Sequence, residues 1–275
     1  MQAVELIKWH DYRRHYQWRQ AGPAGWGAHV MEYQSFGSDE VTGRMLLLPP
    51  GQATPPDAPD FDTVLLGVAG TAECVVGDGA PLALSRLDLL GVPRGTRHRI
   101  VNHGLDNALV FAMQSHEVKP DPAAQPVHLT WTAQCADFQW VLPFAETWGL
   151  HRGAGPHLRL ATLSGHSIRH PLGQGSPWHA AERDLLFIQI QGETTFAAAG
   201  RDWTIEPHDL LLIRMHTPYS YRNSGLEESL FVDMGHRITQ ASTYYAEDPG
   251  WPVRADARVL RVRKDAHGHA RLVPD

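Results

Sequence analysis

The chain has 275 residues, 43% of them apolar and 9% aromatic, which is enough to bury one large core or two of ordinary size. Its 24 basic and 30 acidic residues give a net charge of −6, which argues against a protein that binds the nucleic-acid backbone. The two cysteines, Cys74 and Cys135, lack the spacing of a thiolate zinc site or of a disulfide framework.

The N-terminal segment is aromatic and basic, with the sequence ELIKWHDYRRHYQWR at 5–19. It is charged throughout and has no apolar stretch of the kind found in secretion signals. Nowhere in the chain do about 18 apolar residues run together, as a membrane-spanning helix requires. We therefore expect a cytoplasmic protein with no membrane partner.

Short apolar runs follow, bounded by Gly, Pro, Asp or Asn, and their lengths are typical of β-strands. In the first half these runs are TVLLGVAG (63–70), DLLGV (88–92) and ALVFAM (108–113). In the second half they are DLLFIQIQG (184–192), TTFAAAG (194–200), DLLLI (209–213) and SLFVDM (229–234). No long amphipathic helix interrupts them, so we predict an all-β protein built of antiparallel barrels or jelly rolls.

A Pro-rich stretch, SHEVKPDPAAQPVH at 115–128, has the composition of a linker between two domains. We place the boundary inside it and predict an N-terminal domain at 1–120 and a C-terminal domain at 121–275. Each domain carries an extension in addition to its barrel.

The two halves repeat each other in sequence. GRMLLLPPGQATPPD at 43–57 matches GHSIRHPLGQGSPWH at 165–179, an offset of 122 residues. DLLGVPRGTRHRIVNHG at 88–104 matches DLLLIRMHTPYSYRNSG at 209–225, an offset of 121. One residue has therefore been lost between the two blocks, and two similar barrels in tandem are predicted.

One segment carries the most specific pattern in the chain, Gly91-x-Pro93-x-Gly95-x-x-His98-x-x-x-Asn102. This pattern resembles the second sequence motif of the cupin family. Together with the repeat, it makes the chain similar to a bicupin, in which two RmlC-like cupin domains follow one another. The resemblance implies two double-stranded β-helix (jelly-roll) barrels, a small-molecule ligand, and a homodimer joined through edge strands. It also implies that the N-terminal arm lies across the other domain or a second subunit.

In cupins the two motifs bring three histidines and a carboxylate to one metal ion, and this chain departs from that set in both halves. In the first half Asp57 stands where the first of these histidines is expected, and only His98 remains. In the second half His179 remains, while Tyr219 replaces the histidine of the second motif. Because a single imidazole does not hold a transition metal against water, the standard metal site is incomplete in each barrel.

An irregular metal site and a metal-free pocket both stay open for the C-terminal barrel. The ligands of the irregular site would be His179, Glu182 and Asp184. Such a mixed nitrogen and oxygen set suits one divalent transition metal, namely Fe, Mn, Ni or Zn.

Strand alternation at 185–191 places Phe187 and Gln189 on one face, and the resemblance makes this the inner face of the barrel. A buried amide needs hydrogen-bond partners, so Gln189 predicts a polar ligand or ordered water there. Tyr219 and Tyr221 share a face in the same way, and each offers an aromatic wall with a polar tip. We therefore predict that Phe187, Gln189 and Tyr221 contact the substrate.

His98 and Asp57 are the corresponding candidates in the N-terminal barrel. His98 is open to three interpretations, as a lone ligand, a general base or a hydrogen-bonding core residue. Asp57 is the nearby candidate carboxylate, and we predict that both residues contact a bound molecule.

Two functions from different classes follow from these residues. The first is an enzyme that acts on a small polar or anionic metabolite in the C-terminal barrel, with His179 and Tyr219 as catalytic residues. The resemblance implies isomerisation, hydrolysis or, with iron, dioxygen insertion. The second is a non-catalytic ligand-binding or sensor protein that keeps the pocket without the metal site. The fold itself does not choose between them.

Overall fold

The computed structural model describes residues 3–12, 17–20, 25–31, 38–119, 121, 123–136, 139–140, 149–151, 158–236, 242–264 and 270–274. In these ranges the regular secondary structure is almost entirely β-strand, which confirms the predicted fold class. The helices in the described part are short, and none has the length and apolar character needed to span a membrane.

In chain order, the first half contains β1 (Val4–Ile7), α1 (Trp9–Tyr12), β2 (Gln17–Gln20), β3 (Gly25–Met31), β4 (Val41–Leu48), β5 (Thr63–Ala69), β6 (Ala72–Val76), β7 (Leu82–Leu84), β8 (Leu89–Val92), β9 (His98–Val101) and β10 (Ala108–Ser115). The second half contains β11 (Val127–Leu129), α2 (Trp131–Ala136), β12 (Gln139–Trp140), β13 (Gly149–His151), β14 (Leu163–His170), β15 (His179–Ala180), β16 (Leu185–Gln191), β17 (Thr194–Ala198), β18 (Arg201–Ile205), β19 (Leu210–Ile213), β20 (Tyr219–Asn223), β21 (Ser229–His236), β22 (Thr243–Tyr245), β23 (Val259–Lys264) and β24 (Ala270–Pro274).

Two antiparallel sheets enclose each barrel. In the first barrel, a sheet with the strand order β11-β8-β5-β10-β4-β3-β2 faces a smaller sheet with the order β7-β6-β9. In the second barrel, a sheet with the order β1-β19-β16-β21-β14-β13-β12 faces one with the order β18-β17-β20-β15-β22-β23-β24. The predicted pair of tandem barrels is therefore present.

The barrels have separate interiors and share a third apolar core between them. The outer faces of β4, β5, β8 and β10 pack on those of β14, β16, β19 and β21 through Met45, Leu66, Leu89, Phe111, Ile188, Leu210, Val232 and Met234. Strands such as β5 and β16 are consequently buried on both faces. This double burial explains why their sequences, TVLLGVA and LLFIQIQ, are nearly continuous apolar runs.

The predicted repeat is present strand by strand. β4, β5 and β6 match β14, β16 and β17 at an offset of 122, and β8, β9 and β10 match β19, β20 and β21 at an offset of 121. The offset changes in one hairpin, because Ala72 pairs with Leu84 in the first barrel while Thr194 pairs with Ile205 in the second. The lost residue therefore falls in a surface turn, where it leaves the barrel unchanged.

One strand from each half pairs with a sheet of the other half's barrel. β1 pairs antiparallel with β19, so that Ile7 lies opposite Leu210. β11 pairs with β8 in the equivalent place, so that Leu129 lies opposite Leu89. β11 thus follows the predicted boundary at residue 120 but extends a sheet of the first barrel.

Two aspartates hold these exchanged segments at equivalent positions. Asp209 Oδ1 accepts the backbone N–H of Trp9 at 2.6 Å, where β1 leads into α1. Asp88 Oδ1 accepts the backbone N–H of Trp131 at 2.6 Å, where β11 leads into α2. The aspartate that opens the repeated DLL sequence is therefore a structural clamp in both halves.

Candidate functional site

The interior of the first barrel holds a cavity of about 220 Å³. Part of its wall is apolar and buried, formed by Leu46, Leu65, Ile100 and Ala112. Two prolines, Pro55 and Pro56, and several polar side chains line the rest, the latter being Arg44, Thr54, Asp57, Thr63, His98 and Gln114. A concave site with this division suits a small molecule that has an apolar body and a polar end.

The two-residue period of the strands explains which side chains line this cavity. Arg44 and Leu46 point inward from β4, and Ala112 and Gln114 point inward from β10. The methionine between the members of each pair faces the other way and belongs to the core shared by the barrels.

The backbone around His98 fixes the ring of this histidine in the cavity wall. His98 donates its N–H to the Asp57 carbonyl at 2.7 Å and accepts the Asp57 N–H at 2.8 Å. Its ring Nδ1 lies 3.3 Å from the Thr96 carbonyl, which requires a protonated Nδ1 and leaves Nε2 as an acceptor. Burial lowers the pKa of His98 below its ordinary value, although the Thr96 carbonyl and the Asp57 carboxylate act in the opposite direction. The ring is therefore neutral at neutral pH.

The glycine three residues before His98 adopts a left-handed backbone conformation in a turn, which glycine favours. Gly95 has a φ of 71° and donates its N–H to the Pro59 carbonyl at 2.7 Å. In the second barrel His216 takes the glycine position at a φ of 60° and donates to the Ala181 carbonyl at 2.7 Å. His216 is exposed and outside the barrel interior, so its presence reflects the turn and not the site.

The asparagine of the same motif is structural. Asn102 is fully buried, and its Nδ2 donates to the carbonyls of Leu48 and Asp106 at 2.8 and 2.7 Å. Asn223 makes the equivalent pair of hydrogen bonds in the second barrel. Both asparagines tie the end of one strand to the turn before another.

The polar side chains at the cavity differ in their hydrogen-bond and charge partners. Arg44 is exposed and makes no hydrogen bond or ion pair with any residue in the described ranges. Gln114 donates from Nε2 to the Thr63 hydroxyl at 3.2 Å. Asp57 is exposed, and its negative charge acts on His98. Arg44 is missing from the sequence prediction, although its two-residue spacing from the buried Leu46 places it on the inner face.

The interior of the second barrel is filled by aromatic rings. Those rings belong to Phe187, Phe196, Tyr219, Tyr221 and Phe231. Neighbouring centroids lie 4.8 Å apart for Phe187 and Phe196 and 5.1 Å apart for Tyr221 and Phe231. The equivalent first-barrel residues are smaller, namely Leu65, Cys74, His98, Ile100 and Val110. The difference in side-chain volume explains why the ring-filled space of one barrel corresponds to a cavity in the other.

The predicted catalytic pair of the second barrel lies in ring contact. The centroid of His179 is 4.2 Å from that of Tyr219 and 5.6 Å from that of Tyr244, which stacks on it. Its Nδ1 donates to the Pro177 carbonyl at 2.8 Å. Burial lowers the pKa of His179 to about 4, and burial raises that of Tyr219 well above its ordinary value. Both side chains are consequently neutral.

A histidine–carboxylate hydrogen bond near these rings has no counterpart in the sequence prediction. His166 Nδ1 lies 2.9 Å from Asp233 Oδ1, and the carboxylate is buried. Burial opposes ionisation of Asp233, but the combined attraction of His166 and Arg183 holds its pKa below the ordinary value. Alternation with the buried Phe231 was the signal that Asp233 faces inward.

Of the predicted substrate contacts of the second barrel, Phe187 and Gln189 are packed into its core, while Tyr221 also lines a cavity of about 660 Å³. Phe187 and Tyr221 belong to the ring cluster. Gln189 is fully buried, and its Nε2 donates to the Gln191 carbonyl at 2.6 Å and to the Ser229 hydroxyl at 2.8 Å. Its Oε1 has no partner among the described residues.

The residues present do not fit the metal that the resemblance implies. The described ranges contain no group of three or more His, Cys, Asp or Glu side chains arranged to hold a metal ion. Of the predicted ligands His179, Glu182 and Asp184, the last is engaged elsewhere, since its oxygens accept from Ser38 Oγ at 2.7 Å and from Met215 N–H at 2.8 Å. Among the described residues that line the first cavity, His98 is the one imidazole, and the cationic Arg44 disfavours a cation.

No family model and no curated protein matches this sequence. Solved structures do match its fold. A protein of Pseudomonas aeruginosa described as glyoxylate-induced has a TM-score of 0.71 at 16% identity, covering 88% of this chain and 92% of that one. Salicylate 1,2-dioxygenase from Pseudaminobacter salicylatoxidans has a TM-score of 0.65 at 14% identity, covering 84% and 83%. The protein Ylba from E. coli has a TM-score of 0.66 at 11% identity, covering 86% and 93%.

These neighbours are cupin-family proteins. The chain has the bicupin fold. At these identities the likeness extends to the fold and not to the chemistry. Any ligand of this chain therefore has to be argued from its own residues.

Proposed function

We propose that this bicupin binds a small organic molecule in its N-terminal barrel. The observation that carries the proposal is the cavity of about 220 Å³ around His98, in a fold whose other barrel is filled by rings at the equivalent positions. This volume is below the range of about 300–1,000 Å³ that is typical of drug-sized ligands, so a small metabolite is the better fit. The proposed ligand site is therefore in the N-terminal barrel, whereas the sequence favoured the C-terminal one.

His98 gives the cavity a group that can take a proton. The ring is neutral, and its Nδ1 hydrogen is directed at the Thr96 carbonyl, so Nε2 is the basic atom. Nε2 accepts a hydrogen bond from the bound molecule and, in an enzyme, abstracts a proton from it. Among the reactions that the resemblance implies, isomerisation by proton transfer is the one that this residue set supports.

A test of binding uses the repeat to close the cavity. The substitution Leu65→Phe introduces the residue that the second barrel has at this position, Phe187, and is expected to abolish binding while the fold is retained. Leu105→Phe is the matched control, because Leu105 is 94% exposed in a surface turn. Small organic acids and amides are screened by thermal shift and then measured by calorimetry on all three proteins.

Two results would contradict the proposal. Ligands that bind Leu65→Phe as tightly as the parent protein do not occupy the N-terminal barrel. Binding that survives Leu65→Phe but is lost in His179→Gln points to the C-terminal barrel instead.

A non-catalytic sensor is the second candidate, because the same cavity serves either role. The two are separated by incubating the protein with a bound ligand in D₂O and following its C–H signals by NMR. A proton-transferring enzyme exchanges a ligand C–H at a rate that His98→Gln abolishes, whereas a sensor leaves the ligand unlabelled.

A further inference from the structure

We infer that the ligand of the N-terminal barrel carries a carboxylate that pairs with Arg44, an inference that rests on the binding function proposed above. Arg44 lines the cavity from β4 and is free of hydrogen bonds and ion pairs throughout the described ranges. A guanidinium presents a planar fork of N–H donors that matches a carboxylate with two parallel hydrogen bonds. A cation at the wall of a cavity, without a partner among the described residues, is therefore suited to an anionic ligand.

The repeat provides an internal comparison for this position. Arg44 corresponds to His166 in the second barrel, at the offset of 122. In the second barrel His166 Nδ1 is hydrogen-bonded to a carboxylate of the same barrel, Asp233 Oδ1, at 2.9 Å. The residue equivalent to Asp233 is Ala112, which lies opposite Arg44 across the β10–β4 pair. The first barrel thus has a cation without a neighbouring carboxylate on β10, whereas the second has a histidine hydrogen-bonded to one.

The same alanine also makes room for the ligand. Ala112 lines the cavity next to Arg44, and a larger side chain there would occupy the space in front of the guanidinium. The apolar wall contains Leu46, Leu65 and Ile100, which suit the carbon skeleton of the ligand. The ligand is therefore a small carboxylic acid with an apolar body.

His98 lies across the cavity from the sheet that carries Arg44. Arg44 belongs to the sheet containing β4, and His98 begins β9 in the facing sheet. A molecule whose carboxylate is held by Arg44 therefore has His98 in the wall of the same cavity. This arrangement fits proton abstraction from a carbon near the carboxylate.

Asp57 is the opposing charge at this cavity. It is exposed, and like Arg44 it lines the wall. Its carboxylate repels an anionic ligand, so Asp57→Asn is expected to strengthen the binding of acids by about two- to fivefold, at the scale of a partly screened charge pair. The two substitutions, Arg44→Gln and Asp57→Asn, therefore have opposite signs.

The experiment compares acids with their amides, namely benzoate with benzamide and pentanoate with pentanamide. Calorimetry on the parent protein, Arg44→Gln and Arg99→Gln measures each affinity. Arg99 is the matched control, because it is an exposed arginine one residue from His98 on the outer face of β9. We expect Arg44→Gln to weaken the acid by about 10- to 100-fold, the scale of a lost charge-assisted pair, and to leave the amide unchanged. Arg99→Gln should change neither.

The outcomes separate this inference from the binding function. Equal affinity of acid and amide for the parent protein, with no effect of Arg44→Gln, overturns the carboxylate assignment and leaves the binding function standing. Failure of every acid and every amide to bind the parent protein contradicts the binding function itself. Arg44→Lys adds a second check, since a retained charge without the fork should restore only part of the affinity for the acid.

Discussion

A buried histidine in the second barrel, His170, contributes to the sensitivity of the protein to acid. His170 is fully buried, and neither of its ring nitrogens has a hydrogen-bond partner among the described residues. Burial lowers its pKa from 6.5 to about 4. As the pH falls below 6.5, the unfolded chain binds a proton that the folded one does not, so stability is complete above 6.5 and is lost toward 4.

We predict that His170→Leu reduces this loss. Leucine is the residue at the equivalent first-barrel position, Leu48, and an apolar side chain of similar size leaves no unpaired nitrogen. The free energy of unfolding is measured with urea between neutral pH and pH 4.5 for both proteins. As the pH falls, it should decrease less steeply in His170→Leu than in the parent protein, by up to about 1.4 kcal/mol per pH unit, the slope due to one histidine. The exposed His103→Leu is the control, and an unchanged slope in His170→Leu would contradict the assignment.

The sequence predicted the positions of residues better than their environments. His98 and Tyr219 begin equivalent strands, as the repeat required. Whether His98 or Tyr219 lies beside a cavity depends on the volumes of side chains that are distant in sequence, such as Phe187 and Phe231. In the sequence these two phenylalanines look like ordinary apolar strand residues. The sequence does not single out Arg44, because this residue lies on β4 whereas the Gly91–Asn102 motif covers β8 and β9.

At the scale of elements, the exchanged strands depend on their aspartate clamps. Asp88 accepts the backbone N–H of Ser85 at 2.9 Å as well as that of Trp131 at 2.6 Å. Asp209 accepts that of Trp9 at 2.6 Å in the same way. Each aspartate therefore links a tight turn of one half to the segment that follows the exchanged strand of the other half. For Asp88 these are the turn at Ser85 and the segment at Trp131.

We predict that Asp88→Ala lowers the free energy of unfolding by about 2–4 kcal/mol, because two backbone donors lose a charged acceptor. Hydrogen exchange of the β11 amides should accelerate, since the end of that strand is released. Asp78→Ala in the exposed β6–β7 turn is the control. An effect no larger than that of the control would show that β11 is held by its strand pairing alone.

The strand exchange was beyond the reach of the sequence. Trp9 and Trp131 are 122 residues apart and match each other, but the surrounding residues differ too much for the repeat to be recognised there. The N-terminal arm was expected to lie across the other domain or a second subunit, and β1 pairs with β19 of the other barrel. β11 of the second half pairs in the same way with β8 of the first barrel, and only the structure shows this pairing.

For the whole molecule, the shared core and the reciprocal strands imply that the halves stabilise each other. We predict that fragments 1–120 and 121–275 do not fold when expressed alone, because each lacks a sheet strand and exposes the apolar face of the shared core. Co-expression should yield a soluble complex of the two fragments, seen by size-exclusion chromatography and circular dichroism. Two fragments that are each monomeric and cooperatively folded would contradict this dependence. The homodimer implied by the resemblance stays a separate prediction.

The most direct test of ligand binding in the N-terminal barrel compares two histidines in one sample. Side-chain ¹⁵N resonances of His98 and His179, assigned with His98→Gln and His179→Gln variants, are followed while benzoate is added. The predicted result is a saturable shift of the His98 signal, abolished by Leu65→Phe, with the His179 signal unchanged. A shift of His179 while His98 stays constant would contradict it.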